Sequence, residues 1–141
     1  EYERVHTVLG SCVALTVWHP QLKVGGLCHY LLPIAPVKTK AKAGDCRYAD
    51  NALAQMKKSM LGRAPLNEYQ VGIYGGGDMF SFDSPRSIGY ENISYARQWV
   101  TREKIQVSHT DVGGTLSRSL ILMMATGEIQ VKRYQMKPGS Q

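Results

Sequence analysis

The sequence lacks the features that mark several large classes of protein. It has no run of about 18 apolar residues, the length that a membrane-spanning helix needs, so no membrane insertion is expected. Its three cysteines, Cys12, Cys28 and Cys46, are an odd number without Cys-x-x-Cys spacing, which argues against a disulfide framework and against a zinc site. Free thiols of this kind suit a reducing compartment, so a cytoplasmic location is predicted.

The length and composition fit a small globular protein. The chain has 141 residues, of which 43% are hydrophobic. This length suits one domain, and residues 1–141 are assigned to it. The first four residues lead directly into a strand-like run without the pattern of a signal peptide, and this abrupt start predicts that an upstream strand has been trimmed.

The charge of the chain is strongly basic, with a formal net charge of +6, and this favours acidic partners. The cationic side chains concentrate in one part of the sequence, at Lys38, Lys40, Lys42, Arg47, Lys57, Lys58 and Arg63. Few aromatic residues interleave with them and no nucleic-acid recognition motif is present, so no nucleic-acid partner is expected. The cluster is interpreted either as a solvated face or as a docking surface for an acidic helical protein.

Strand-like segments outnumber helical ones. Apolar and β-branched runs predict strands at residues 13–18, 23–33, 69–74, 105–110, 119–124 and 128–132. Apolar residues at helical spacing predict helices at 48–61 and 88–104. Because βαβ units do not alternate regularly, the predicted fold class is α+β: a layered domain with a mixed or antiparallel, sandwich-like β core flanked by at least two helices.

One stretch presents a cysteine directly after a sharp turn. An apolar run reaches Gly10 and Ser11, delivers Cys12, and then resumes as the next strand. Gly10 permits the turn because it has no Cβ, and the backbone N–H groups near the turn are candidates to bind a ligand. His29 in the following strand would supply a base for a thiol nucleophile, with His109 as a competitor. The same spacing also suits an inert packed cysteine and a structural histidine.

Two further features bear on this site. Successive side chains on a strand face opposite ways, so Cys28 is predicted to face the core if His29 faces the site. The triple glycine at residues 75–77 lacks the Gly-Lys-Ser/Thr ending of a P-loop and the spacing of a dinucleotide-binding turn, so no nucleotide cofactor is expected. These glycines are interpreted as permitting close backbone approach, for instance to a substrate.

The ordered set of motifs resembles the CheD family, the chemoreceptor glutamine deamidases of bacterial chemotaxis. The resemblance begins with the Leu-Gly-Ser-Cys step in residues 6–14 and the histidine in residues 25–33. Further matches follow in the family's order at residues 47–50, 74–80, 88–92, 111–114, 118 and 126–127. The resemblance spans nearly the whole chain, and it implies a β-sandwich core flanked by helices.

The resemblance also implies roles for individual residues. It makes Cys12 the nucleophile and His29 the base, and the family's third member is a Thr six residues before the cysteine. This chain has His6 at that position, with Thr7 beside it. A neutral imidazole accepts a hydrogen bond as a Thr oxygen does, so we predict that His6 orients His29, with Thr7 as the rival and a backbone carbonyl as a further alternative.

The implied reaction is deamidation of protein glutamine to glutamate through a thioester, without a metal or organic cofactor. Backbone N–H groups around Ser11 and Cys12 would stabilise the oxyanion. Cys12 beside a histidine is expected to have a depressed thiol pKa and to alkylate quickly. The resemblance implies that the substrate is the cytoplasmic helices of a chemoreceptor and that a CheC-like phosphatase is a partner. The alternatives are a thiol protease or transglutaminase, and a non-catalytic adaptor that binds a receptor or such a phosphatase.

Overall fold

The structure is a computed structural model that describes residues 4–35, 44–78 and 87–135. Within these residues the strands are β1 (Arg4–Leu9), β2 (Val13–His19), β3 (Val24–Tyr30), β4 (Gln70–Gly75), β5 (Val107–Val112), β6 (Leu116–Met123) and β7 (Ile129–Gln135). The helices are α1 (Ala49–Leu61) and α2 (Ile88–Arg102), with a single 3₁₀ turn at Leu66–Glu68. Each predicted strand and helix is present, with ends shifted by a few residues.

The strands form two sheets. One is antiparallel with the order β1-β6-β7, and the other has the order β3-β2-β4-β5. In the larger sheet β2 pairs antiparallel with β3 and β4, whereas β4 and β5 are parallel. Parallel neighbours need a crossover connection, and α2 provides it, so the fold contains one βαβ unit. The predicted α+β class with a mixed β core is confirmed.

Two apolar clusters hold the layers together. The first joins the two sheets through Leu9 of β1, Ala14 of β2, Tyr74 of β4 and Leu120 of β6. The second lies between the larger sheet and the helices, where its members include Leu15, Leu53 and Trp99. All seven residues of β2 are buried, because this central strand is covered by the smaller sheet on one face and by the helices on the other. Cys12 immediately precedes β2, so this rigid strand sets its position.

The helices bury the faces predicted from their spacing. On α2 the buried residues include Ile93, Ala96, Trp99 and Val100. On α1 the predicted face is Ala49, Leu53, Met56 and Met60, and all are buried except Met56, which is partly buried. The helix α2 begins at a Ser87 cap, whose Oγ accepts a hydrogen bond from the Tyr90 amide at 3.1 Å.

Part of the basic cluster is neutralised by acidic neighbours. Arg47 Nη2 lies 2.7 Å from Asp45 Oδ2, and Lys57 Nζ lies 2.8 Å from Glu103 Oε1. The lysines at positions 38, 40 and 42 fall outside the described residues. Neither described helix has the length and apolar character needed to cross a lipid bilayer.

Candidate active site

The turn that carries Cys12 is held by the triple glycine after β4. The Gly76 amide donates to the Cys12 carbonyl at 2.8 Å, and the Gly77 amide donates to the Gly10 carbonyl at 2.9 Å. Gly75 has φ +102°, and a Cβ there would lie 2.3 Å from the Cys12 carbonyl oxygen. Only glycine fits such a position. The close approach expected of these glycines is therefore made to the Cys12 turn itself.

A second set of contacts supports the glycines. Arg118 is buried, with its Nε 2.7 Å from Asp111 Oδ1, and its Nη2 donates to the Gly113 carbonyl at 2.9 Å. The Gly113 amide in turn donates to the Gly75 carbonyl at 2.9 Å. Burial raises the pKa of Asp111, but hydrogen bonds from Arg133 and Arg118 outweigh burial, so the carboxyl pKa is lowered. A charged Asp111 therefore keeps Arg118 in place behind the turn.

Cys12 and His29 lie on the same side of the larger sheet. His29 pairs with Ala14 across the β2–β3 ladder, and directly paired residues share a face. Ala14 is a member of the apolar cluster between the two sheets, and Cys12 packs against that cluster. Cys12 lies one residue before the first pair of this ladder, diagonal to His29, and diagonal neighbours in such a ladder have Cα atoms about 7–8 Å apart.

His29 has one ring nitrogen occupied and one available. Its Nδ1 lies 2.9 Å from Thr7 Oγ1, which reaches across from β1. Its Nε2 is buried, and none of the described residues offers that atom a hydrogen-bond partner. If Nδ1 carries the proton and donates it to Thr7, Nε2 is an unprotonated acceptor. Burial lowers the pKa of His29, so the imidazole is neutral near pH 7.

His6 lies elsewhere, which corrects the register expected for β1. Its Nε2 is 2.9 Å from Ser119 Oγ on the exposed side of the smaller sheet. Strand alternation turns Thr7 and Leu9 toward the larger sheet and His6 away from it. The residue beside His29 is therefore Thr7, five positions before Cys12. Leu9 shares a face with Thr7, whereas the equally apolar Val8 shares one with His6, so the sequence alone did not decide between the two faces.

The pKa of the Cys12 thiol is raised, contrary to the expectation of an acidic thiol. Burial raises it, and a hydrogen bond from the backbone amide of Cys12 itself offsets this only in part. With a neutral thiol beside a neutral imidazole, the resting site is not an ion pair. A thiol in this state would act as a nucleophile only by giving up its proton to a base.

The other candidates lie away from this pair. Cys28 packs against the cluster under the helices, and burial raises its pKa to about 12. Cys46 is exposed. His109 is on β5, at the opposite edge of the larger sheet from His29 on β3. Among the described residues, His, Cys, Asp and Glu side chains form no group of three that would hold a metal ion.

A cavity of about 840 Å³ opens beside His29, along the edge strand β3 and the facing side of α1. Its lining includes Gly26 and His29 of β3 and Met56 and Ser59 of α1. A second cavity, of about 350 Å³, lies at the far edge of the larger sheet beside His109 and Asp111. His29 lines the first cavity and not the second, and Cys12 lines neither.

Comparison with known proteins identifies the family. The family model for CheD chemotactic sensory transduction matches residues 31–133. A probable chemoreceptor glutamine deamidase CheD from Pseudomonas syringae pv. tomato is 38% identical over 92% of this chain and 79% of its own length. The chain belongs to the CheD family.

Other CheD relatives agree. One from Chromobacterium violaceum is 36% identical over 94% of this chain and 70% of its own length, and one from Geobacter sulfurreducens is 35% identical over 92% and 79%. Both carry the name probable chemoreceptor glutamine deamidase CheD. The resemblance seen in the sequence motifs is confirmed.

Proposed function

We propose that this CheD-family protein hydrolyses glutamine side chains of bacterial chemoreceptors to glutamate, with Cys12 as nucleophile and His29 as general base. One observation carries the proposal. The Thr7–His29 hydrogen bond leaves Nε2 as a buried acceptor without a described partner, on the face of the sheet that also carries Cys12. The names of the relatives supply the substrate class.

The reaction has two steps. In the first, His29 Nε2 takes the thiol proton of Cys12 while the sulfur attacks the carbonyl carbon of the glutamine side chain. The tetrahedral oxyanion collapses, the C–N bond breaks, and the protonated His29 gives its proton to the departing ammonia. A thioester to Cys12 remains.

In the second step, water completes the hydrolysis. His29, neutral again, takes a proton from a water molecule as the water oxygen attacks the thioester carbonyl. The C–S bond breaks, the sulfur recovers a proton from His29, and the product is glutamate. Ser11 and Cys12 supply the backbone N–H groups for the oxyanion in both steps, and one such donor contributes about 2.7–4 kcal/mol.

Thr7 completes the group of side chains by positioning the base. A hydroxyl that accepts from Nδ1 keeps the proton on that nitrogen and the lone pair on Nε2. It also remains bonded when His29 becomes an imidazolium, since both ring nitrogens are then donors. Thr7 thus replaces His6 in the role predicted from the sequence.

The partners proposed for this chain follow from the same assignment. The cytoplasmic helices of a chemoreceptor are the substrate, and a CheC-like phosphatase is a predicted binding partner. The basic side chains would aid capture of glutamate-rich receptor helices, and exposed Lys58 and Arg63 remain available for this on the described surface. Dissolved salt screens the attraction between exposed charges beyond about 8–10 Å at physiological ionic strength. We therefore predict that added salt weakens receptor binding.

The experiment compares two cysteine variants on a purified receptor cytoplasmic domain. Ammonia release and Gln-to-Glu conversion by mass spectrometry are measured for the wild type, Cys12→Ala and Cys28→Ala. The wild type and Cys28→Ala are expected to convert glutamine, and Cys12→Ala is expected to be inactive while it keeps its fold and receptor binding. Conversion by Cys12→Ala would overturn the assignment of the nucleophile. Receptor binding by the wild type without ammonia release would favour an adaptor.

A further inference from the structure

One buried side chain contacts both the turn before Cys12 and the end of the strand that carries His29. It is not one of the three residues proposed for the reaction, Cys12, His29 and Thr7. Asn92 in the second turn of α2 is fully buried. Its Nδ2 donates to the Ser11 carbonyl at 3.0 Å and to the Leu31 carbonyl at 2.9 Å. Because both partners are carbonyl oxygens, the atom between them must be the amide nitrogen. The two carbonyls belong to the residue before Cys12 and to the second residue after His29.

These hydrogen bonds continue the β2–β3 ladder where it ends. The ladder ends at the pair Val13 and Tyr30, so the next residues outward, Cys12 and Leu31, form no ladder pair. The amide of Asn92 bridges that gap. It therefore fixes the strand end that follows His29 relative to the turn that carries Cys12.

The side chain of Asn92 is itself held firmly. The Tyr30 hydroxyl donates to the Asn92 main-chain carbonyl at 2.5 Å. The first turn of α2 rests directly on the glycine loop, since a Cβ at Gly89 would lie 2.4 Å from the Gly76 carbonyl oxygen. The helix that carries Asn92 therefore packs against the same glycine loop that holds the Cys12 turn.

The bond to Ser11 has a consequence for Cys12. A trans peptide is planar, and its C=O and N–H point in opposite directions. Holding the Ser11 carbonyl toward Asn92 therefore directs the Cys12 N–H away from Asn92. Burial raises the pKa of the Cys12 thiol, and a hydrogen bond from the Cys12 N–H opposes that effect by favouring the thiolate.

A purely structural role leaves one observation unexplained. Asn92 Oδ1 is buried, and no donor among the described residues reaches it. Leaving a buried polar atom unpaired is unfavourable. An unpaired buried atom of this kind needs an explanation, and a role in the reaction is one.

We propose that Asn92 is a positioning residue that aims the Cys12 N–H at the sulfur and at the oxyanion formed there. This inference rests on the proposed deamidase function. Its removal should lower kcat with little change in KM, because the Ser11–Cys12 peptide acts mainly on charge that develops during the reaction.

The test uses Asn92→Ala with Val100→Ala as its matched control. Both changes truncate a buried α2 side chain, but Val100 lies in the last turn of the helix, within the cluster under the helices. On the receptor domain, Asn92→Ala is expected to lower kcat by about 10–100-fold. Its KM should stay within about twofold, and Val100→Ala should leave kcat near the wild-type value. Equal kcat values for the two variants at matched stability would overturn the proposal.

A second readout separates positioning from loosening of the fold. Iodoacetamide labelling of Cys12 is measured relative to exposed Cys46 by peptide mass mapping. Loss of the aimed N–H destabilises the thiolate, so the Cys12:Cys46 labelling ratio should fall in Asn92→Ala. A merely structural role would expose Cys12 and raise the ratio, and an unchanged or raised ratio would refute the proposal.

The test remains decisive if Asn92→Ala does not fold or if the wild type is inactive. If Asn92→Ala does not fold, Asn92→Ser is measured by the same criteria, because its shorter hydroxyl cannot bridge both carbonyls. If the wild type converts no glutamine, the proposed function fails. The labelling ratio then still tests the role of Asn92, since it requires no substrate.

Discussion

Replacing Thr7 by valine removes one hydroxyl and keeps the shape of the side chain. The hydroxyl oxygen lies 2.9 Å from His29 Nδ1 and is half-buried. Without it the imidazole loses the contact that fixes its tautomer and its orientation. We expect Thr7→Val to lower kcat for receptor deamidation by about 10–100-fold, equivalent to about 1.4–2.7 kcal/mol of barrier. Stability should fall by about 1–3 kcal/mol, because His29 Nδ1 is left without a partner.

The matched control is His6→Ala at the neighbouring position. His6 is exposed and bonds only Ser119 among the described side chains, so its removal should change kcat by less than about twofold. Both variants are assayed by Gln-to-Glu conversion, and their unfolding is measured in urea. A crippled His6→Ala beside a fully active Thr7→Val would refute the assignment of the third residue.

The remaining predictions concern the support of the turn and the base. Gly75→Ala, whose methyl would meet the Cys12 carbonyl, should lose activity and lower the free energy of unfolding more than Gly114→Ala, where a Cβ meets nothing within 4 Å; equal losses in urea denaturation would contradict this. Arg118→Met leaves Asp111 without its buried partner and should lower the free energy of unfolding by about 3–5 kcal/mol, whereas a loss under about 1 kcal/mol would argue against a stabilising role for the Arg118–Asp111 ion pair. Because the proposed histidine base acts when neutral and burial lowers its pKa, kcat/KM should rise with pH through a midpoint below the ordinary 6.5, and a midpoint above 6.5 would count against that base.

The secondary structure was predictable because its signals are local. Helical spacing in α2 and alternation in the β6–β7 hairpin follow directly from which residues must be buried. The pairing of β4 with β5 was not predictable in this way, because a single βαβ unit inside a mainly antiparallel fold produces no regular pattern.

The proposed site was predictable in part. The motifs indicated Cys12 and His29, and the structure brings both to one face of the larger sheet. The side on which Thr7 lies depends on the register of β1, and a one-residue error reverses every side chain of a strand. The direction of the Cys12 pKa depends on burial, which spacing does not reveal.

The contacts behind the turn could not be read from the sequence at all. Gly75 and Asn92 are far from Cys12 in the chain, and each acts through a backbone carbonyl of the turn. Backbone partners leave no side-chain pattern to recognise. A triple glycine and an asparagine in a helix are compatible with many other roles, so only the three-dimensional arrangement distinguishes them.

In the proposed mechanism, Cys12 carries the glutamine carbonyl as a thioester during turnover. The direct measurement is acid quenching of a single turnover with the receptor domain, followed by peptide mass mapping of the trapped adduct. We expect a hydroxylamine-sensitive adduct on Cys12 that is absent from Cys12→Ala and does not form on Cys28. Glutamate formation without any adduct on Cys12, or an adduct on another cysteine, would contradict it.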